Sequence, residues 1–278
     1  MKRCMLAICC LLMLSCGGKK QQDKAEEVPA DTAVAATDTI VTDSIDDTLS
    51  NLPVPKAIDE LFDDFIFNFA SNKKLQRERI MFPLTKTNGD KQETINKSQW
   101  KTERYFMRQQ YYTLLFDSEK HMQVVKDTSV CHAIVEMIYF NTGAVIQHKF
   151  DRLRGVWMLT GIETIPISRS SNSSFLEFYH RFVTDSDFQT SSLSETIDFE
   201  GPDPDDDFAR MEGVISPETW EAFAPDLPQK MLFNIIYGKP RPEGNQKVFV
   251  LRGIANGMEL EMTFRRHDGK WKLTKLTT

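Results

Sequence analysis

The chain has 278 residues and a formal net charge of −6, and 41% of its residues are hydrophobic. This composition provides enough apolar material for two domains of about 110 residues, each with a core of its own. Residues 17–55 carry a net charge of −5, whereas residues 56–278 carry only −3 and contain no basic stripe, so nucleic acid is excluded as an expected partner.

The first segment has the layout of a secretory signal peptide. Two basic residues precede an apolar run over 5–14, which is too short to anchor a protein permanently across a bilayer. The run ends in Leu14-Ser15-Cys16, which resembles a bacterial lipobox. The sequence therefore predicts a signal peptide over 1–15 and membrane attachment through a lipid on Cys16. The alternative is a signal peptide that is cut elsewhere, with Cys16 incidental.

Residues 16–55 have the composition of a tether. They are rich in Asp, Thr, Ala and Lys and almost devoid of aromatic residues. Such a segment cannot bury enough apolar surface to fold. We expect a disordered acidic tether that holds the rest of the chain away from a membrane surface.

The remaining sequence contains one pattern twice, first at an offset of 113 residues and farther on at 114. The matching residues are mostly Phe, Leu, Trp and Gly, which form cores and turns. We therefore predict two tandem domains, over 56–168 and 169–278. The matching pairs are Phe62/Phe175, Phe65/Phe178, Phe69/Phe182, Leu75/Phe188, Gln76/Gln189, Ile80/Leu193, Gly143/Gly257, Phe150/Phe264, Arg152/Arg266, Gly155/Gly269, Trp157/Trp271, Leu159/Leu273 and Thr160/Thr274.

Each copy begins with helical periodicity. Apolar residues from Ile58 to Phe69 recur at three- and four-residue spacing, which places them on one helix face. A second helix is predicted over 73–82 in the first copy and 186–199 in the second. A Ser-Pro pair at Ser216 indicates the start of a third helix.

Strands follow the helices in each copy. Residues from Met258 to Phe264 alternate between apolar and polar, which is typical of an antiparallel strand with one covered face. Asp268-Gly269 predicts a tight turn into a last strand. Helices followed by a meander of strands predict an α+β fold, with helices packed on one face of a curved antiparallel sheet.

The segment from Phe264 to Thr274 resembles the last hairpin of the nuclear transport factor 2-like, or cystatin-like, superfamily. The resemblance covers about residues 56–278 and implies two tandem cone-like units, each with about three helices and a potential pocket, without implying chemistry. With its lipobox and acidic tether, the whole chain looks like a lipoprotein family of unknown function typical of the Bacteroides group. That likeness implies a cell-envelope lipoprotein of the outer membrane, with its body in the periplasm or at the surface.

The sharpest site hypothesis concerns Glu136 and His148. His148 takes the place of Met262 in the second copy, and a three-residue turn over 141–143 predicts that it faces Glu136. Such a pair can share a proton near neutral pH in catalysis, or line a ligand pocket together with Tyr139. The alternatives are a hydrogen-bonded pair inside a packed core, or a one-residue change of register that separates the two side chains.

No zinc-ligand spacing, phosphate-binding glycine loop or nucleophile elbow occurs in the sequence. We therefore expect no cofactor and no metal. The acidic run over 201–207 lacks the spacing of a calcium loop and is predicted to be solvated. Cys131 is the only cysteine after Cys16, which excludes an internal disulfide, and it is expected to be a small buried hydrophobe.

These features favour a lipid-anchored envelope protein that acts as a non-catalytic binding or scaffolding module. Its ligand would be a small apolar molecule, a glycan fragment or another envelope protein. One alternative is an enzyme that uses Glu136 and His148 for proton transfer. The other is a purely structural pair of units that binds partners through its outer surface.

Overall fold

The computed structural model describes residues 57–203 and 205–278, with only the backbone at 207 and 208. The predicted signal peptide, Cys16 and the tether lie outside the described residues. The α-helices within them are α1 (Phe62–Ser71), α2 (Lys73–Glu78), α3 (Ser173–Thr184) and α4 (Ser186–Ser191). The strands are β1 (Ile80–Asn88), β2 (Lys91–Ile95), β3 (Tyr111–Phe116), β4 (His132–Tyr139), β5 (Ala144–Leu153), β6 (Val156–Pro166), β7 (Leu193–Asp203), β8 (Asp206–Ile215), β9 (Met231–Tyr237), β10 (Gln246–Gly253), β11 (Glu259–His267) and β12 (Lys270–Thr277).

The strands form two six-stranded sheets. Sheet A has the order β2-β1-β6-β5-β4-β9, and sheet B has the order β8-β7-β12-β11-β10-β3. Neighbouring strands are antiparallel, except that β1 runs parallel to β6 and β7 runs parallel to β12. The predicted α+β fold is confirmed. The sheets are mixed rather than purely antiparallel, because the last strand of each half returns beside the first strand of that half.

Equivalent aromatic residues make equivalent contacts in the two halves. Phe69 of α1 meets Phe150 of β5 with ring centroids 5.3 Å apart and planes at 89°. Phe182 of α3 meets Phe264 of β11 at 5.4 Å and 89°. The first helix of each half therefore packs on the same part of its sheet, as the repeated sequence predicts.

An interior glutamine joins the helices of each half to a tryptophan. Gln76 donates from Nε2 to the Phe69 carbonyl at 2.9 Å and accepts at Oε1 from Trp100 Nε1 at 3.3 Å. Gln189 accepts in the same way from Trp220 Nε1, at 2.9 Å. Trp100 and Trp220 are thus equivalent, although 120 residues separate them, so the second half gains several residues before this point.

The two halves exchange one strand. β3, from the first half, forms an edge of sheet B beside β10, and β9, from the second half, forms an edge of sheet A beside β4. Leu114 pairs with Val250, and the equivalent residue Asn234 pairs with Glu136 in the same register. All described residues belong to one compact unit. The expected pair of self-contained domains is therefore corrected, because neither half holds every strand of its own sheet.

The second helix of each half is shorter than predicted. α2 ends at Glu78 rather than 82, and α4 ends at Ser191 rather than 199. The residues that follow pair with β6 and β12, so sheet formation overrides the local helical tendency. The third helix is a short 3₁₀ turn, Trp220–Ala222. None of the helices within the described ranges has the length and apolarity needed to cross a membrane.

The described residues of the acidic run, 201–203 and 205–206, lie in the β7–β8 hairpin. One further prediction needs correction. Cys131 is exposed, not buried, because the buried stretch of β4 begins only at Ala133.

The predicted last hairpin is confirmed in both halves. Asp268 and Gly269 have φ values of 48° and 75°, and Arg154 and Gly155 have 53° and 83°. Two successive positive φ values define the type I′ turn, whose twist matches that of the flanking strands.

Candidate functional site

The structure separates the two residues of the predicted acid–base pair. Glu136 pairs with Gln147, and His148 pairs with Val135. The predicted register is wrong by one residue, because the β4–β5 turn comprises four residues, 140–143, rather than three. Glu136 and His148 therefore project from opposite faces of sheet A, as in the alternative of a shifted register.

Glu136 is fully buried and links the exchanged strands. Its carboxylate accepts from Gln147 Nε2 and from Asn234 Nδ2, both at 2.9 Å. Asn234, on β9, in turn accepts at Oδ1 from the Leu115 backbone N–H of β3 at 2.9 Å. Burial raises the pKa of Glu136, whereas the two amide donors lower it. This chain of hydrogen bonds ties one half to the other.

His148 lies in the core of the first half, 3% exposed, with its ring centroid 5.0 Å from that of Tyr105. Neither His148 Nδ1 nor the Tyr105 hydroxyl has a hydrogen-bond partner. Burial and, to a lesser degree, the charge of Lys86 lower the pKa of His148 to about 4, so the imidazole is neutral at pH 7. Tyr139 is half-buried at the end of β4, opposite Ala144.

An open apolar groove lies in the second half, where β10 and β12 end and β11 begins. Its volume is about 500 Å³, within the range of small-molecule sites. The floor is formed by the buried side chains of Leu251 and Leu260. The remaining lining residues are Tyr111, Pro225, Asp226, Leu227, Pro228, Met258, Glu259 and Thr278.

The first half has buried aromatic residues at the equivalent sequence positions. Tyr105 and Phe106, five and six residues after Trp100, are 3% and 1% exposed and form part of the core. At the same distance after Trp220, the second half has Pro225 and Asp226. These smaller or polar residues insert no ring into the core. The two halves therefore differ here by two buried aromatic side chains, and the half that lacks them has the open groove.

Residues 41–278 match the model of a family described as a domain of unknown function, DUF4348. The chain belongs to this family. A crystal structure of an NTF2-like protein from Bacteroides fragilis NCTC 9343 is similar to it, with 42% sequence identity and a TM-score of 0.72 over 81% of this chain and 98% of that chain. No curated protein matches the chain. The NTF2-like, cone-like α+β fold implied by residues 264–274 is thus confirmed.

In this DUF4348 chain the strand exchange completes the groove. Tyr111 is the first residue of β3, a strand of the first half. It pairs with Gly253 of β10, in the second half. Its side chain contacts the apolar core of the second half. The groove is consequently built by both halves and would lack one wall without the exchanged strand.

The rim of the groove in this DUF4348 domain is acidic. Glu259 and Asp226 line it, together with Thr278 at the chain terminus. Arg252 binds Glu259 at 3.0 Å, and this hydrogen bond keeps the pKa of Glu259 below its ordinary value. Glu259 is therefore ionised at neutral pH and paired with Arg252, and with the further carboxylate of Asp226 the rim has an excess of negative charge, which favours neutral or cationic groups over anions.

The sequence hypothesis concerned Glu136, His148 and Tyr139 of the first half, whereas the open apolar groove of this DUF4348 chain lies in the second half. A usable signal existed, since aligning Trp100 with Trp220 sets Pro225-Asp226 against Tyr105-Phe106. Within the part of the chain that the structure describes, no group of three or more His, Cys, Asp or Glu side chains is arranged to hold a metal ion.

Proposed function

We propose that this protein is a non-catalytic binding protein of the cell envelope, which holds a small apolar ligand in the groove of its second half. The supporting observation is the open groove of about 500 Å³ with a buried Leu251–Leu260 floor. Pro225 and Asp226 line it, whereas their sequence equivalents Tyr105 and Phe106 are buried in the core of the other half. Burying an apolar ligand in the groove removes its surface and that of the floor from water, which supplies the binding free energy.

The charge of the rim restricts the ligand class. A ligand with an apolar body and a neutral or cationic head group is compatible with the carboxylates of Glu259 and Asp226, which can stay solvated or pair with that head group. A fatty-acid carboxylate would add a like charge next to Glu259 and Asp226, where its repulsion opposes binding.

Transferring the aromatic residues of the first half tests this proposal. In the double variant Pro225→Tyr/Asp226→Phe, we expect the two rings to occupy the groove. Binding of the neutral apolar dye Nile red should weaken by about tenfold or more, because the dye loses most of the surface it would bury. Fluorescence titration measures the change.

A matched variant shows whether added aromatic bulk alone matters. Val214, 65% exposed on β8, lies outside the groove, and Val214→Tyr should leave Nile red binding unchanged. Dodecylamine should displace the dye at about tenfold lower concentration than laurate, because their head groups differ in charge. The proposal would be refuted if Pro225→Tyr/Asp226→Phe bound Nile red as well as the parent, or if laurate displaced the dye better than dodecylamine. The remaining function would then be binding of a partner through the outer surface.

The envelope location rests on the signal-peptide layout and the lipobox-like sequence before Cys16. We expect the Cys16→Ser variant to move from the membrane fraction to the soluble periplasmic fraction, because one unmodified serine offers no acyl chains to insert into a bilayer. Fractionation and immunoblotting of host cells check this outcome. If Cys16→Ser is still recovered in the membrane fraction, the lipid anchor is contradicted. A groove variant that stays in the membrane fraction but no longer binds ligand has no bearing on the anchor.

A further inference from the structure

A second, polar pocket lies where β3 and β9 end, away from the apolar groove. Its volume is about 30 Å³, enough for a single water molecule or one part of an ion. Both halves contribute its polar lining, which includes Asp117, His121, Ser171, Asn172, Asn234, Lys239 and Arg241.

The loop that carries the two exposed cations of the pocket is fixed at both ends. Gly238 has a φ of 83°, and its N–H donates to the His132 carbonyl at 2.7 Å. At the other end, the Glu243 carboxylate accepts from the Phe175 N–H of α3 at 2.9 Å. Prolines at 240 and 242 restrict the backbone between these anchors. Lys239 and Arg241 are therefore held by a loop with little freedom to move.

The lining of the pocket also contains a buried atom without a partner. His121 Nε2 is inaccessible to solvent and forms no hydrogen bond. Behind it, the buried Lys247 ammonium binds Asp117 Oδ1 at 2.6 Å and Asn172 Oδ1 at 2.5 Å. Because Lys247 already pairs with Asp117, the carboxylate in the pocket is neutralised.

The pocket as a whole is electropositive. The charged groups around His121 are Asp117, Lys239, Arg241 and Lys247, three cations against one carboxylate. Burial lowers the pKa of His121; Asp117 opposes this effect, whereas the charges of Arg241 and Lys247 add to it. Lys239 and Arg241 form no ion pair with any other described residue. An anion is the ligand that this arrangement lacks.

We propose that this pocket binds a phosphate group, with His121 Nε2, Lys239 and Arg241 as its donors. A tetrahedral oxyanion presents oxygen atoms to several donors at once, and a guanidinium can bind two of them. The small cavity accepts one part of the group and leaves the rest in solvent, so inorganic phosphate and a phosphomonoester share the required chemistry. The site is independent of the apolar groove.

Nuclear magnetic resonance of His121 in the full mature chain provides the test. Titration with inorganic phosphate at constant ionic strength should raise the His121 pKa in a saturable manner, because a bound anion favours the imidazolium. Glycerol phosphate, titrated in parallel, distinguishes a phosphomonoester from the free ion. The Lys239→Gln/Arg241→Gln variant should bind either probe more than about tenfold more weakly.

The matched control removes two cations elsewhere. Lys91 and Lys270 are exposed, and Lys91→Gln/Lys270→Gln should retain the full phosphate response. The proposal is overturned if the His121 response is not saturable, if both double variants lose it equally, or if acetate is bound as well as phosphate. A response confined to glycerol phosphate would support the site and identify the esterified group as its ligand.

Discussion

Expressed as separate chains, residues 56–168 and 169–278 are each expected to fail to fold as monomers, whereas their mixture should form a one-to-one complex. In the isolated first half, β4 has no β9 at its edge and β3 has no β10 to pair with. In the isolated second half, β10 has no β3 at its edge and β9 has no β4 to pair with. Unpaired strand edges of this length, together with exposure of surface that is buried in the intact protein, lead to unfolding or aggregation. Circular dichroism and size exclusion with light scattering check the result.

The two halves should also prefer each other to themselves. In a dimer of first halves, β3 of one copy would take the place of β9, and Leu114 would lie opposite Glu136. The buried carboxylate would then lack its hydrogen bond from Asn234, a loss of about 1 to 3 kcal/mol at each site. A dimer of second halves would place Asn234 opposite Val250, where its amide has no carboxylate partner. The polar pair thus selects the mixed assembly.

A single substitution tests this selection. Glu136→Val gives the first half the residue that the second half has at the equivalent position, Val250. We expect this variant of the isolated first half to gain a dimer that the unmodified half does not form, because no carboxylate is left unpaired. A stable, monodisperse monomer of either unmodified half would show instead that β3 or β9 can pair within its own half, and the explanation would fail.

The parts of the fold that were predictable from sequence are those fixed by short segments. The helix stripe around Phe65, the Asp268-Gly269 turn and the strand over 258–264 each depend on neighbouring residues, whose spacing records which face is buried. The repeat itself was visible because Phe, Trp and Gly recur at nearly constant offset. Local patterns of this kind survive any change in how the two halves assemble.

The strand exchange and the site were not predictable in the same way. The local pattern of β3 is that of a buried strand and does not indicate whether it lies beside β4 or β10; the preference depends on cross-strand pairs such as Asn234 with Glu136, which are known only once the register is known. The position of Glu136 depended on a single additional residue in the β4–β5 turn, which moves a side chain to the other face. The alignment of Trp100 with Trp220 marks Pro225 and Asp226 as different from their first-half equivalents, but the wall formed by Tyr111 could not be derived before the strand exchange was known.

His148 should make the stability of the protein strongly dependent on pH below neutrality. Its pKa in the folded state is about 4, below the ordinary value of 6.5, mainly because it is buried. Its favourable contribution is therefore complete above pH 6.5 and is lost as the pH falls toward 4, since the unfolded chain takes up a proton first. Between pH 7 and 4.5, this one group should lower the free energy of unfolding by about 2 kcal/mol.

The variant His148→Met isolates the effect, because Met262 fills the equivalent position, where it is fully buried. We expect it to match or exceed the parent in stability at pH 7, since it removes the unpartnered Nδ1, and to lose about 2 kcal/mol less on acidification to pH 4.5. Urea denaturation at both pH values measures the difference.

Glu136 has a raised pKa and contributes to the pH dependence of stability with the opposite sign, but its contribution is common to both proteins and cancels. The control His267→Gln, at a side chain 91% exposed, should retain the dependence of the parent. Equal acid sensitivity of the parent and His148→Met would contradict this prediction, because it would mean that the buried imidazole is not the group whose protonation destabilises the folded protein.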